Sequence, residues 1–234
     1  MLLMVCLRKT KGASLMRSRF IYALICTLIF VGGCSIKKEV DSMELPNTKA
    51  FQDEFTRNLL DSQEEVEEGY YLFESDTGGY SMLWPKDAIA DGPPFYQRNG
   101  NGFEKILFDN RSEEGNYHYS YSTTYETDGD LFLEASLVIL SDSVRFSGEY
   151  EIIETEKTKI YYGKLQDKLE AQNRSATSYH FFSYIVSKNS NKGMEFIYSV
   201  NCLDELHTQC NLDAKKEEET ALYLMKKVSF NREE

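Results

Sequence analysis

The hydrophobic positions along this chain change their period several times, and each change marks a new element. The apolar residues Phe51, Phe55, Leu59 and Leu60 recur at helical spacing between polar residues. This pattern predicts an amphipathic helix that is capped by Asn47 and ends before Gly69. Such an apolar stripe is typical of packing against a core.

Two later segments are also predicted to be helical. Residues 213–228 place small and apolar side chains on one face and a charged run on the other, as expected for a helix packed on a core. Residues 131–140 are almost entirely apolar and fit either a helix or a buried strand. We predict a helix there, because Asp128 or Asp130 could cap its start.

The remaining apolar runs have the aromatic and alternating composition of strands. The turn at residues 76–79 contains two glycines, which permit the positive φ angles of a tight hairpin. Tyr117, Tyr119 and Tyr121 share one face of their strand, and residues 86–102 read as a long loop. The predicted strands are residues 70–75, 80–84, 103–108, 117–125, 150–155, 179–187 and 194–201.

This order of elements predicts an α+β fold, an antiparallel sheet packed by N- and C-terminal helices. The opening helix, the GGYSMLWP strand, the YHFFSYIVSKNSNKGMEFIYSV hairpin and the final helix resemble the PsbP/Mog1-like domains, some of which occur in bacterial lipoproteins. The resemblance covers most of residues 48–230 and implies an α/β/α sandwich. The loop at residues 86–102 and the stretch at 157–176 depart from that pattern, so the strand number stays open. The family has no common catalytic residues to transfer.

The N-terminal segment differs from the rest of the chain. Arg17 and Arg19 precede an apolar run from Phe20 to Val31, and no acidic residue occurs before Cys34. A basic segment, a short apolar core and small residues form the pattern of a secretory signal peptide. The apolar run has about 12 residues, whereas a membrane-spanning helix needs about 20. We therefore expect cleavage and export.

The residues Val31-Gly32-Gly33-Cys34 resemble the lipobox of bacterial lipoproteins. The resemblance implies a diacylglycerol on the Cys34 thiol, a cut just before it, and an N-acyl chain such as palmitate on the new N-terminus. An incidental cysteine after an ordinary signal peptide is the alternative. The expected location is the extracytoplasmic face of the cell membrane. The predicted parts are a signal peptide at 1–33 whose start could be Met16, a lipidated tether at 34–47 and one globular domain at 48–234.

Composition limits the possible functions. Hydrophobic residues make up 41% of the chain and aromatic residues 13%, which predicts a packed core. Cleavage lowers the formal net charge from -12 to -17, because residues 1–33 contain five basic residues and no acidic one. We expect no nucleic-acid partner, since such binding depends on lysine and arginine contacts with phosphate. We expect this acidity to serve solubility rather than the binding of a specific cationic ligand.

Two cysteines, Cys202 and Cys210, remain in the folded part once the leader and Cys34 are set aside. We predict a disulfide between them, because export places them in an oxidising compartment. Free thiols are the alternative, and a bond across so short a loop would stabilise the fold only modestly. We predict no metal site in this loop, because a metal site would need more ligands than His207 alone can add to the two cysteines.

The chain contains no motif of a known catalytic class. Its histidines are His118, His180 and His207, and it has no GxSxG, HExxH, CxxC or EF-hand pattern. We therefore predict a non-enzymatic protein without a cofactor or metal. A cryptic hydrolase is one alternative, and it requires a serine and a carboxylate beside His118 or His180.

The predicted binding patch lies at the long loop. Trp84, Phe95 and Tyr96 could bind a peptide, glycan or protein if they are exposed together. The alternative is that Trp84 anchors the hairpin in the core and the loop covers it. We expect an accessory role with an envelope protein partner, and a likeness to lipoproteins of Gram-positive bacilli implies colony architecture or biofilm formation. A solute-binding accessory protein of a transporter is another alternative, and it requires a deep pocket.

Overall fold

The computed structural model describes residues 45–112, 117–171, 174–203 and 212–231. The described residues belong to one compact unit that begins at Leu45. Within these ranges no helix is long and apolar enough to cross a membrane. The predicted signal peptide, Cys34 and most of the predicted tether lie outside the described residues.

The N-terminal helical segment is broken in two, as α1 (Lys49–Gln52) and α2 (Glu54–Asn58). Asp53 stands between them with extended backbone angles (φ -82°, ψ 125°). Its Oδ1 accepts hydrogen bonds from the N–H and the hydroxyl of Thr56, both at 2.7 Å. This cap starts a new helix at the point where the first one ends. The predicted single helix up to Gly69 is therefore wrong.

The cap predicted for that helix is also wrong, because Thr48 rather than Asn47 occupies the N-cap position. Beyond α2 the chain turns back toward the first hairpin. Leu60 is buried there and forms an isolated bridge with Phe73. The chain therefore buries Leu60 against a strand, and it does not continue as the helix that the apolar spacing predicted.

The first hairpin consists of β1 (Tyr70–Glu74) and β2 (Tyr80–Pro85), as predicted. Gly78 lies in the connecting turn with φ +69°, a conformation that favours glycine. The C-terminal strand β11 (Ser229–Phe230) pairs with β2, which completes a three-stranded sheet in the order β1-β2-β11.

A second, eight-stranded sheet forms the centre of the molecule, in the order β3-β5-β6-β10-β9-β8-β7, with β4 also paired to β5. Its pairings are antiparallel; β5 and β6 form a hairpin, and the β9-β10 hairpin confirms the one predicted from the sequence. The strands are β3 (Ile89–Ala90), β4 (Gln97–Asn99), β5 (Phe103–Arg111), β6 (Tyr117–Glu126), β7 (Glu151–Glu154), β8 (Thr158–Ala171), β9 (Arg174–Ser187) and β10 (Gly193–Leu203).

The long strand β8 was not predicted. It occupies the stretch at 157–176 that departs from the PsbP/Mog1-like pattern, and β9 begins at Arg174 rather than at residue 179. Lysine, glutamine and aspartate fill many positions of β8, so its composition does not indicate a strand. Pairing with β9 along its whole length forms it instead.

Alternate residues of the large sheet point to two different packing partners. The hairpin face, which includes Phe108 and Tyr125, packs against the first hairpin. The α3 face, which includes Phe182 and Tyr184, packs against Leu140 of helix α3 (Leu133–Val144). The fold is therefore α+β, as predicted, but its antiparallel strands form two sheets rather than one.

Helix α3 confirms the helical choice for residues 131–140, but its predicted caps are wrong. Phe132 is the N-cap residue and makes no side-chain hydrogen bond there, so neither Asp128 nor Asp130 caps the helix. The helix continues to Val144 and ends at Arg145, which has the left-handed φ of 57°.

Helix α4 (Ala214–Lys226) confirms the predicted closing helix. Asp213 caps it, since its Oδ1 accepts hydrogen bonds from the N–H groups of Lys215 and Lys216 at 3.1 and 3.2 Å. Leu224 and Met225 are buried in the core on the hairpin face. The first turn of α4 is thereby held over the sheet with its charged residues near the surface.

Candidate functional site

Trp84 belongs to the core. Its side chain is fully buried, its ring stacks on Phe108 at 4.2 Å between centroids, and its Nε1 donates to the carbonyl oxygen of Ala88 at 3.1 Å. Phe95 is 53% exposed. Trp84, Phe95 and Tyr96 therefore do not form one exposed surface, and the predicted binding patch is wrong. The apolar environment of a strand end in a two-sheet core explains the burial of Trp84.

Tyr96 belongs to a cluster of hydroxyl groups that donate hydrogen bonds to a buried carboxylate. Glu104 is fully buried and accepts hydrogen bonds from the hydroxyls of Ser75 (2.6 Å), Tyr80 (2.8 Å) and Tyr96 (3.0 Å). Burial and the neighbouring Glu104 carboxylate raise the pKa of Tyr96 to about 12. This Glu104 cluster connects the long loop, the first hairpin and β5.

A cleft of about 350 Å³ opens where the hairpin face of the large sheet meets β1 and helix α4. We call it the tyrosine cleft, because four tyrosines from three strands line it. They are Tyr70 of β1, Tyr119 and Tyr121 of β6, and Tyr198 of β10.

Strand pairing places three of these tyrosines together. Tyr119 and Tyr121 occupy alternate positions of β6 and so share a face, and Tyr198 lies opposite Tyr121 in the β6-β10 ladder. The ring of Tyr198 lies 4.9 Å from that of Tyr121 and 6.2 Å from that of Tyr119. The shared face of Tyr119 and Tyr121 is visible in the sequence, and it is the one signal that pointed to this cleft.

Glu217 brings a charge to the cleft from the first turn of α4. The hydroxyl of Tyr198 donates to its Oε2 at 2.5 Å. No lysine or arginine of the described chain forms an ion pair with Glu217, whereas the next residue, Glu218, pairs with Lys164 at 2.8 Å. Glu217 is therefore a half-buried carboxylate that has a hydrogen-bond partner but no cationic partner among the residues that the structure describes.

The tyrosine hydroxyls of the cleft are neutral at physiological pH. Burial, with Glu217 as the next cause, raises the pKa of Tyr119 to about 12. Burial also raises the pKa of Tyr198, and the adjacent Tyr121 and Glu217 add to the effect. The cleft can therefore donate and accept hydrogen bonds through hydroxyls, while its formal charges come from carboxylates and from Lys86.

A second polar cluster lies on the α3 face of the large sheet. His180 Nδ1 is 2.7 Å from the hydroxyl of Ser199, and Asp167 Oδ2 is 4.0 Å from His180 Nε2. Burial lowers the pKa of His180, and Asp167 acts in the opposite direction. The structure thus brings together at His180 the serine and the carboxylate that the hydrolase alternative requires.

The surroundings of Ser199 do not provide the other parts of a hydrolase site. Ser199 is buried in the middle of β10, which pairs with β6 on one edge and with β9 on the other. The backbone N–H groups around it are used in these ladders, so they cannot stabilise an oxyanion. His118 contacts Asp109 at 2.8 Å instead of a serine, and His207 lies outside the described residues.

Two further predicted sites fall partly or wholly outside the described residues. Cys202 is buried at the end of β10 and is disulfide-bonded, while Cys210 is not described. The pairing of Cys202 with Cys210 and the lipid on Cys34 stay predictions. Across the described ranges, no group of three or more potential ligands could hold a metal ion.

Comparison with known proteins assigns the chain to a family. The family model described as "Putative lipoprotein YvcA" matches residues 46–229, which include every residue of the tyrosine cleft. The chain belongs to this family. A protein of Bacillus subtilis (strain 168) that is also named "Putative lipoprotein YvcA" is 30% identical over 227 residues, covering 87% of this chain and 92% of the relative. The chain is thus a lipoprotein with a Mog1/PsbP-like domain, as its sequence indicated.

Proposed function

We propose that this lipoprotein is a non-enzymatic binding protein of the cell envelope, anchored through acyl chains on Cys34 to the extracytoplasmic face of the membrane. Family membership supports the lipoprotein assignment. The basic, apolar and small residues before Cys34 support the anchoring position. We also propose that the two sheets and the helices correspond to the α/β/α sandwich of the PsbP/Mog1-like domains.

The tyrosine cleft is the observation that supports a binding function. Ligand sites are concave, have volumes of about 300–1,000 Å³, and combine aromatic walls with a few polar groups. A cleft of about 350 Å³ with tyrosine walls and the carboxylate of Glu217 has these properties. Its size suits a small molecule or a single chemical group of an envelope partner. The roles in colony architecture and biofilm formation that the resemblance implies belong to this proposal.

The binding function can be tested by filling the cleft. Thr220 of α4 lines the cleft, and we expect Thr220→Trp to occupy its volume. Lys216→Trp places the same side chain on the same helix at an exposed position outside the lining. Ligand-observed NMR with a library of small polar fragments should find molecules that bind the wild type and Lys216→Trp but not Thr220→Trp. Equal binding to all three proteins, or no binding to any, would contradict the proposal.

A solute-binding accessory protein of a transporter is supported by the same cleft. Pro85 and Lys86, which directly follow Trp84, contribute to its lining. In that case the ligand is a free solute, so an isolated molecule extracted from the culture medium should compete with the fragments. Competition only by an envelope protein would favour the partner-binding function instead.

The cluster of His180, Ser199 and Asp167 is the observation that favours a hydrolase as a second candidate. An active serine would react with a fluorophosphonate probe, and the label should disappear in Ser199→Ala and in His180→Gln. Since the backbone donors near Ser199 are committed to the sheet, we expect no labelling of the wild type. Labelling that depends on Ser199 and His180 would show that the non-enzymatic proposal is wrong.

A further inference from the structure

We infer that the tyrosine cleft binds an organic cation with an ammonium group. This inference rests on the proposed binding function of the cleft and names the chemical class of its ligand. It follows from the charges of the lining residues, from their aromatic walls and from a neighbouring contact within the protein itself.

The lining of the cleft carries more negative than positive groups. Glu68, Asp87 and Glu217 contribute three carboxylates, and within the described residues none of them forms an ion pair. Lys86 is the cation of the lining, and its Nζ lies 3.7 Å from Glu65. A half-buried carboxylate without a cationic partner is costly to desolvate, and a bound cation offsets that cost. Anionic ligands such as phosphates and carboxylates would be repelled.

The walls of the cleft are aromatic. The negative face of a tyrosine ring attracts a cation placed over it, and the attraction is stronger in desolvated sites. Tyr70 and Tyr119 are half-buried, whereas Tyr121 and Tyr198 are buried beneath the opening. Because the hydroxyls of these rings remain protonated at neutral pH, they add no charge and can accept hydrogen bonds from an ammonium group.

A cation–π contact lies at the edge of the same aromatic group. Tyr70 packs against Tyr223 with 5.9 Å between ring centroids, and the Nζ of Lys227 lies over the Tyr223 ring at 5.2 Å from its centroid. Tyr223, which packs on the cleft residue Tyr70, therefore already contacts one ammonium group of the protein. The cleft offers the same chemistry, with Glu217 added, to a ligand from outside.

The test compares matched ligands by isothermal titration calorimetry on the purified protein. The probes are choline, n-butylammonium and 3,3-dimethylbutan-1-ol, which has the shape of choline without its charge. We expect at least one ammonium probe to bind, and the neutral alcohol to bind about tenfold more weakly or not at all. The two ammonium probes distinguish a quaternary from a primary ammonium ligand.

Matched variants on α4 locate the binding. Glu217→Gln removes the carboxylate but keeps an oxygen that can accept the Tyr198 hydrogen bond, and we expect it to weaken ammonium binding by about tenfold or more. Glu218→Gln removes the same charge from the adjacent residue, which pairs with Lys164 outside the cleft, and we expect wild-type binding. Thermal unfolding of each variant verifies that it is folded.

Several results would overturn the inference. Equal affinity for choline and for its neutral analogue, or equal losses in Glu217→Gln and Glu218→Gln, would show that the Glu217 charge is not recognised. If neither ammonium probe binds, but neutral fragments bind the wild type and not Thr220→Trp, the cation inference fails and the binding function stands. If no fragment binds either, both fail.

Discussion

The Glu104 cluster gives the most direct test of how the long loop and the first hairpin are held on the large sheet. The proposed change is Tyr80→Phe, which removes the hydroxyl that donates to Glu104 at 2.8 Å. The ring keeps its packing, since its neighbours Phe73 and Tyr125 lie 5.8 and 4.9 Å away between centroids. The loss of stability therefore reports one hydrogen bond to a buried carboxylate.

The expected magnitude follows from the charge and burial of the acceptor. A hydrogen bond to a charged group contributes about 1.5–3 kcal/mol to stability. For a domain of 150–250 residues, each kcal/mol shifts the melting temperature by about 2–4 °C. We therefore expect Tyr80→Phe to lower the melting temperature by about 3–12 °C. Tyr96→Phe should lie at the lower end, because Tyr96 is half-buried and its bond to Glu104 is longer, at 3.0 Å.

The assay is thermal unfolding and urea unfolding, both followed by tryptophan fluorescence, because Trp84 is the single tryptophan of the chain and is fully buried. Tyr223→Phe is the matched control, since the Tyr223 hydroxyl makes no hydrogen bond with any described residue. We expect that control to change the free energy of unfolding by less than about 0.5 kcal/mol. Equal effects of Tyr80→Phe and Tyr223→Phe would refute the role of the Glu104 cluster.

A double variant refines this test. Tyr80 and Tyr96 donate to the two oxygens of one carboxylate, so their contributions should couple by about 0.5–3 kcal/mol in a double-mutant cycle. Strict additivity would show that the two hydroxyls do not share Glu104 in solution.

Three further predictions concern the core, the pH dependence and the anchor. Trp84→Ala should lower the free energy of unfolding by about 3–5 kcal/mol and Phe95→Ala by less than about 0.5 kcal/mol, measured by circular dichroism in urea. Equal losses of stability in the two variants would show that Trp84 is not buried in solution. The raised pKa values of Tyr96 and Tyr119, both about 12, mean that the folded state keeps protons which the unfolded state loses near pH 10. Stability should be full below about pH 10 and fall as the pH approaches 12, and a constant melting temperature from pH 7 to 11.5 would contradict this. Cys34→Ala should remove the acyl mass that mass spectrometry finds on the wild type, and an acylated Cys34→Ala protein would contradict lipid anchoring there.

Local features of the fold could be predicted from the sequence. The first hairpin is specified by two glycines between two aromatic runs, and β9-β10 by a polar turn between two apolar runs. In both hairpins the signal lies within a few residues of the pairing that it specifies. The closing helix α4 was predictable for the same reason, since its cap Asp213 and its apolar face lie in one short segment.

Features that depend on distant residues could not be predicted. Strand β8 has a polar composition and exists because β9 pairs with it along its length. The prediction of a single N-terminal helix was wrong at Asp53, because the side chain of this residue caps a second helix. Trp84 was ambiguous because its burial depends on Phe108, which comes from the other sheet.

The candidate site shows the same division. The alternation that puts Tyr119 and Tyr121 on one face is readable in the sequence. Their meeting with Tyr198 depends on the register of β6 and β10, and the charge comes from Glu217 at the far end of the chain. The tyrosines were therefore visible as a pattern, whereas the cleft that they form with a carboxylate was not.

The most direct measurement of the central claim is a map of amide chemical shifts in the isotope-labelled protein during a choline titration. The account predicts that the shifted amides cluster on β1, β6, β10 and the first turn of α4, which together form the tyrosine cleft. Shifts centred on His180 and Ser199 of the α3 face, or an absence of shifts at the tyrosine cleft while choline binds, would contradict it.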